Sequence, residues 1–169
     1  MIDQRTTILE SMIRFAQATK PPQPKKIRVV RVALLYAGVL VVFAVAQLFS
    51  FEKFLPLVRD FALPGGRPLA YFLAAFIVIA EVLALPFLLR MQLSVAMRLL
   101  SMAMGWLVAL LWVAIALWLI LTGSTVINIG FLGGVVAFAP GWLSVAVGLV
   151  LGGMAACVSR GMWPVVRRK

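Results

Sequence analysis

Residues 76–89, FIVIAEVLALPFLL, form an apolar run that contains one carboxylate, Glu81, and one proline, Pro86. The run extends upstream to Leu69, so the segment 69–89 has the roughly 20 apolar residues that a helix needs to cross the bilayer core of about 30 Å. A carboxyl group at this depth needs a proton, a partner or a chemical role, because an isolated charge in lipid is costly. The segment therefore predicts a membrane-spanning helix with a polar group inside it.

The whole chain has the composition of a membrane protein. Of its 169 residues, 64% are hydrophobic and 12% are charged, whereas soluble domains are about half apolar and a quarter charged. Continuous apolar stretches, without the alternation of barrel strands, cover approximately 32–51, 69–89, 99–122 and 142–158. We therefore predict an all-α integral membrane protein, a four-transmembrane-helix bundle in a domain spanning 32–158.

The charge distribution predicts the orientation of this bundle. The net charge is +11, and thirteen of the 16 Lys and Arg residues lie in the two tails and the second loop, against three in the first loop. Basic residues concentrate on the cytoplasmic side of membrane proteins. We expect both termini to be cytoplasmic, the chain to lie in the bacterial cytoplasmic (inner) membrane, and lipid rather than nucleic acid to account for the positive charge.

Two cytoplasmic tails and two outer loops complete the predicted organisation. Residues 1–31 combine an amphipathic helix over 6–18 with a basic, proline-rich hinge over 19–31, and 159–169 form a basic tail. The helix is expected to lie on the membrane or to bind a partner subunit. Helical spacing of apolar residues in 51–68 predicts a short outer helix, and the uncharged segment 123–141 is either re-entrant or an extension of the fourth span with a break near Gly133–Gly134 or Pro140–Gly141.

Glu81 is the main candidate for chemistry. It lies roughly 18 Å into its span at 1.5 Å per residue, and the polar side chains available in the other spans are those of Tyr36, Gln47, Ser101 and Ser144. Pro86 also leaves a helix carbonyl, that of Val82, without its usual donor. Two roles for Glu81 stay open: proton or quinol handling, and a hydrogen bond between helices.

Other residue types exclude several classes of site. The chain has no histidine and one cysteine, Cys157, and its five acidic residues are dispersed, so we expect no metal site and no cofactor bound by this chain alone. Gly148, Gly152 and Ala156 form a small-residue face suited to close helix packing, with the first span as the expected neighbour and a partner protein as the alternative. Trp106, Trp112 and Trp118 point in different directions, and lipid-facing and packing roles account for them.

The stretch from Val32 to about Thr122 resembles the DoxX/MauE group of small four-helix bacterial membrane proteins. The resemblance rests on a first span followed by SFEKFL (50–55), then LPGGRP (63–68), then a span with AEVLAL (80–85). Lys53 and Glu81 match the lysine after the first span and the acid in the second span of that group. The resemblance implies a membrane redox or oxidative-maturation context, although relatives that oxidise thiols use paired cysteines, which this chain lacks.

Together these features predict a non-catalytic accessory or structural subunit of a membrane redox, electron-transfer or maturation complex, and not an enzyme by itself. Its partners would be membrane lipids and other membrane or periplasmic redox subunits. The alternative is a small transporter or a proton or quinone conduit in which Glu81 titrates. Tyr36, Gln47 and Lys53 are candidates for residues near a quinone, lipid or partner site.

Overall fold

The computed structural model describes residues 17–21, 24 and 26–163, and this part of the chain is all-helical. It contains five helices: α1 (Ile27–Phe49), α2 (Phe51–Asp60), α3 (Gly66–Leu88), α4 (Val95–Leu121) and α5 (Trp142–Met162). In the described residues the single β-type pairing is an isolated bridge between Thr19 and Leu93. Over these residues the prediction of an all-α protein is confirmed.

Helices α1, α3, α4 and α5 are each long and apolar enough to cross a membrane. Each buries only about two fifths of its most apolar window inside the protein, between 39% and 44%, and large apolar side chains such as Phe49, Leu121 and Leu143 are exposed. Apolar residues on both the inner and the outer faces of a helix are typical of a helix surrounded by lipid. The structure thus supports a multi-pass membrane protein with a four-helix bundle.

Close contacts between small residues hold the long helices together. α4 packs between α3 and α5, and α1 packs against both α3 and α5. A Cβ atom added at Gly148 of α5 would lie 2.6 Å from the Val113 side chain of α4, and one at Gly152 would lie 3.9 Å from Ala109 of α4. The small-residue face of α5 was expected to meet the first span, and at Gly148 and Gly152 this expectation is wrong, because both glycines lie against α4. α5 contacts α1 closer to its C-terminal end, where Gly161 lies against Val29.

Helix α2 confirms the short helix predicted after the first span. It is amphipathic, and its apolar face together with the following Phe61 is buried: Phe54, Val58 and Phe61 are 0%, 0% and 1% exposed. This face packs mainly against α3. The indole Nε1 of Trp118 in α4 donates a hydrogen bond of 3.0 Å to the Phe61 carbonyl, which ties the end of α2 to the bundle.

The segment between α4 and α5 is not a continuation of either helix. α5 begins at Trp142 after Gly141, so the fourth helix does not extend through 123–141, and the alternative in which this segment extends the fourth span is wrong. Ile129 and Phe131 are nevertheless buried, at 0% and 2% exposure. The loop therefore inserts apolar side chains into one end of the bundle, and we call residues 128–134 the plug.

The plug is shaped by Asn128 and by glycines. Asn128 Oδ1 accepts hydrogen bonds from the backbone N–H of Gly130 (2.9 Å) and of Phe138 (3.1 Å), and its Nδ2 donates to the Gly133 carbonyl (3.0 Å). Gly133 has a φ of +56°, in the left-handed region that favours glycine. The Ser50 hydroxyl at the end of α1 accepts a 2.7 Å bond from Gly134 N–H, which joins the plug to the α1–α2 turn.

At the opposite end of the bundle, the chain before α1 lies against the α3–α4 loop. Thr19 N–H donates to the Leu93 carbonyl at 3.0 Å, and the buried Arg98 guanidinium donates to the Thr19 hydroxyl and to the carbonyls of Thr19, Lys20 and Leu93. This part of the predicted hinge is therefore fixed to the bundle. The amphipathic helix predicted over 6–18 lies almost wholly outside the described residues, as does the tail after Trp163.

Candidate functional site

Glu81 lies in α3 with its side chain completely buried, at 0% exposure. Its Oε1 atom accepts two hydrogen bonds, one from Gln47 Nε2 of α1 at 3.3 Å and one from Trp112 Nε1 of α4 at 3.2 Å. Both donors are uncharged. The carboxyl group is therefore the point at which three of the four long helices are linked through polar side chains, and we call Gln47, Glu81 and Trp112 the polar cluster.

The directions of the helices explain why these side chains meet. Gly105 of α4 lies beside Tyr36 of α1 and Ala84 of α3, which defines a first level of the bundle. The polar cluster forms a second level. From the first level to the second, residue numbers rise along α1 and α4 and fall along α3, so α3 runs antiparallel to the other two helices. Helical side chains lean toward the N-terminus of their own helix. Gln47 and Trp112 consequently lean toward the first level, while Glu81 leans away from it and toward them.

The plug covers the polar cluster. Gln47 Nε2 also donates to the Phe131 carbonyl of the plug at 3.1 Å. The Phe131 ring lies 4.6 Å from the Trp112 ring and 5.4 Å from the rings of Phe43 and Phe138, measured between centroids. These aromatic rings pack around the indole that binds Glu81, and Glu81 lines none of four well-formed clefts of the described residues.

The hydrogen bonds of the cluster leave two buried oxygen atoms without a donor. Gln47 Oε1 and Glu81 Oε2 are both buried, and neither has a hydrogen-bond partner among the described residues. Unpaired buried polar atoms are rare in folded proteins because each loses its bonds to water. This pair of acceptors is therefore the feature of the site that most needs a chemical explanation.

A serine of α4 bridges the backbone of α3 around Pro86. Ser101 of α4 donates its hydroxyl hydrogen to the Ala84 carbonyl at 3.2 Å and accepts from the Phe87 N–H at 3.0 Å. The serine thus bridges two backbone groups of α3 on either side of the proline, where the helical pattern is interrupted. Glu81 takes no part in this bridge; its Oε1 atom is bound by Gln47 and Trp112 instead.

The remaining candidate residues lie apart from the polar cluster. The Tyr36 hydroxyl donates to the Gly105 carbonyl at 2.6 Å, and Ser144 donates to the Ala139 carbonyl at 2.8 Å. Lys53 is on α2, where its side chain borders Gly134 and lines two open clefts. Of the three residues proposed for a quinone or partner site, the structure therefore brings only Gln47 next to Glu81.

A separate cleft with apolar walls lies between α2 and α3. It has a volume of about 490 Å³ and is lined by Phe51, Glu52, Leu55, Pro56, Arg59, Tyr71 and Ala75. Its size and lining suit a lipid chain or a quinone ring better than the space around Glu81 does. Among residues 17–21, 24 and 26–163, no three His, Cys, Asp or Glu side chains come together as a metal site would require.

Trp112 is the member of the site that sequence reasoning missed. Its spacing of six residues from Trp106 and Trp118 suggested only packing or lipid contact, yet its ring is fully buried and its indole N–H reaches Glu81. The available signal was its depth: Trp112 lies mid-span, whereas tryptophan in membrane proteins concentrates at the interfaces. A mid-span indole N–H needs an acceptor, and Glu81 was the obvious one.

Comparison of the chain with protein-family models, with curated proteins and with solved structures finds no match. The resemblance to the DoxX/MauE group therefore stays a prediction, carried by the short motifs around Lys53 and Glu81.

Proposed function

We propose that this protein is a non-catalytic membrane subunit, a scaffold that holds partner proteins of a bacterial membrane redox or oxidative-maturation complex. The observation that carries the proposal is the internal use of Glu81: its Oε1 atom binds Gln47 and Trp112, and the plug covers it. A catalytic acid has to reach a substrate. Enclosure of the one intramembrane acid supports a role in fixing the bundle and its loops.

The redox context of this proposal rests on the resemblance to the DoxX/MauE group. The surfaces available to partners are the clefts that border α2, which include Lys53, and the exposed loop residues Ile127 and Val135. Exposed apolar groups beside charged ones are typical of protein contact sites. We propose that membrane or periplasmic subunits bind at this end, and that lipid or quinone occupies the apolar cleft between α2 and α3.

The orientation is part of the proposal. The excess of Lys and Arg in the tails and the α3–α4 loop supports cytoplasmic termini in the inner membrane, and it would place α2 and the plug on the periplasmic side. In this orientation the segment held by Arg98 and the preceding amphipathic arm face the cytoplasm, where basic residues can contact anionic lipid headgroups.

Extraction of the native protein in mild detergent tests the subunit proposal. We expect the chain to migrate with at least one larger protein in stoichiometric amount, identified by mass spectrometry, and the partner to carry a haem, an iron–sulfur centre or a thioredoxin-like domain. A double variant, Lys53→Ala with Ile127→Ser, tests the proposed contact surface. It removes exposed groups and no core contact, and it should release the partner. Migration of the wild type as a monomer or homo-oligomer would contradict the proposal.

The alternative function is a proton or quinone conduit in which Glu81 titrates. The observation in its favour is Glu81 Oε2, which is buried and has no partner among the described residues, as expected for an atom that exchanges a proton. This alternative predicts proton flux from the purified chain in liposomes, abolished in Glu81→Gln. If the flux does not exceed that of protein-free liposomes and the partner is present in the extract, the conduit alternative is wrong and the subunit proposal is supported.

A further inference from the structure

We propose that Glu81 carries a proton on Oε2 and donates it to Gln47 Oε1, so that the acid and the amide form a two-hydrogen-bond ring. Gln47 Nε2 already donates to Glu81 Oε1 at 3.3 Å. A bond from Oε2–H to Oε1 of the same amide would close the ring. The proton is thus the ligand of this site, held between α1 and α3.

The inventory of donors and acceptors carries the inference. An amide has two N–H donors and one oxygen acceptor, and a protonated carboxyl adds one O–H donor. The two Gln47 N–H groups bind Glu81 Oε1 and the Phe131 carbonyl, and Glu81 Oε1 accepts from Gln47 and Trp112. The atoms left over are Gln47 Oε1 and Glu81 Oε2. One proton turns these two orphan acceptors into a donor and an acceptor.

An ionised Glu81 has no such solution in the described part of the chain. Both orphan atoms would then be acceptors, and a buried carboxylate would have only neutral donors on one oxygen, which is a costly arrangement. No basic side chain bonds to Glu81: α1 carries Arg28 and Arg31 near its start, and Arg98 of α4 binds Thr19, Lys20 and Leu93. The charge of the carboxylate would remain uncompensated.

The other titratable groups near the bundle lie away from the ring. On α1 the Tyr36 hydroxyl is bound to the Gly105 carbonyl, and α5 carries the exposed Cys157 and Arg160. The charged residues of α2 are Glu52, Lys53, Arg59 and Asp60, and the segment 123–141 carries none. None of these groups is hydrogen-bonded to Gln47, Glu81 or Trp112 in the described part of the chain.

The ring also positions the plug. With its oxygen bound to the acid, the Gln47 amide cannot rotate, and its second N–H is directed at the Phe131 carbonyl. Loss of the Glu81 proton would remove one bond of the ring, place two acceptors together and free the amide to turn. The proton on Glu81 therefore helps to hold the Phe131 carbonyl of the plug in place, and ionisation of Glu81 at high pH would weaken this attachment.

Infrared spectroscopy of the purified full-length protein in lipid nanodiscs tests the proposal at neutral pH. The difference spectrum between wild type and Glu81→Gln should show a carbonyl band of a protonated carboxylic acid in the wild type only. If Glu81→Gln instead removes the paired stretching bands of an ionised carboxylate, the proposal is wrong. Asp60→Asn, which changes an exposed acid, is the control that should remove carboxylate bands.

Thermal unfolding across pH gives a second test, because glutamine copies the protonated acid. A glutamine at position 81 offers an N–H donor and an oxygen acceptor in the same places, so Glu81→Gln should fold and should keep its Tm as pH rises. The Tm of the wild type should fall by several degrees over the same rise in pH, because Glu81 ionises. The charged surface groups are the same in both proteins and contribute equally, so parallel pH profiles for the two would overturn the proposal.

Discussion

At the scale of single residues, the polar cluster shows how one acid can be kept inside an apolar bundle. Glu81 binds neutral donors from two other helices, the Phe131 ring of the plug lies against the Trp112 ring, and the bond from Gln47 extends to the loop backbone. Hydrogen bonds between membrane helices contribute about 0.6 kcal/mol on average and up to about 1.7 kcal/mol. The cluster therefore specifies which helices meet more than it adds to stability.

Trp112→Phe tests the energetic role of the cluster. The variant keeps an aromatic ring but removes the indole N–H that binds Glu81 at 3.2 Å and leaves a small void, so we expect a loss of about 1–3 kcal/mol in the free energy of unfolding. Unfolding in a denaturing detergent, followed by circular dichroism, measures it. Trp106→Phe is the control, since that ring is 36% exposed and binds only the Ser159 hydroxyl; a loss equal to that of Trp112→Phe would contradict the special role of Trp112.

The sequence allowed part of this cluster to be predicted. Glu81 stood out because a carboxyl group in an apolar span is rare, and Gln47 was one of few polar side chains available to meet it. The Phe131 carbonyl could not be found in this way, because a backbone group carries no residue-specific signal. Its position depends on the fold of the plug, which is set by the bonds of Asn128 and by Gly133.

At the scale of helices, hydropathy identified the four long elements because lipid-facing and buried residues are both apolar. The same property hid which face of each helix is inside. The small-residue face of α5 was expected to meet α1, yet it packs on α4, since small residues indicate close approach without naming the neighbour. The segment 123–141 was ambiguous for a related reason: its lack of charge fits a helix and a buried loop equally well.

Gly148→Ala tests the contact between α5 and α4. The new Cβ would lie 2.6 Å from Val113 Cγ2 and 3.1 Å from the Val113 backbone nitrogen, and the helices would have to separate. Overpacking of this kind costs about 1–3 kcal/mol. The same denaturation measurement applies.

The matched control for that variant is five residues away on the same helix. A Cβ at Gly153 has no atom within 4 Å, and alanine is the better helix former by roughly 0.5–1 kcal/mol. Gly153→Ala should therefore be neutral or slightly stabilising. Equal destabilisation by both alanines would show that helix propensity or lipid contact, and not the contact with Val113, determines the result.

At the scale of the whole molecule, the two ends of the bundle differ in a way that hydropathy alone cannot show. One end is held by the plug and α2, and the other by the Arg98 contacts to the segment before α1. The proposed orientation places the first end outside the cytoplasm. This assignment rests on the positions of Lys and Arg, so it needs a measurement of its own.

Cysteine labelling provides that measurement. In a Cys157→Ala background, Thr125→Cys reports on the α4–α5 loop and Gln92→Cys on the α3–α4 loop, and both native residues are exposed. A membrane-impermeant maleimide added to intact spheroplasts should label position 125 and leave position 92 unlabelled, and detergent should make both react. Because α4 separates the two sites by a full span, labelling at 92 with protection at 125 would mean that the bundle is inserted in the opposite direction, with the plug facing the cytoplasm.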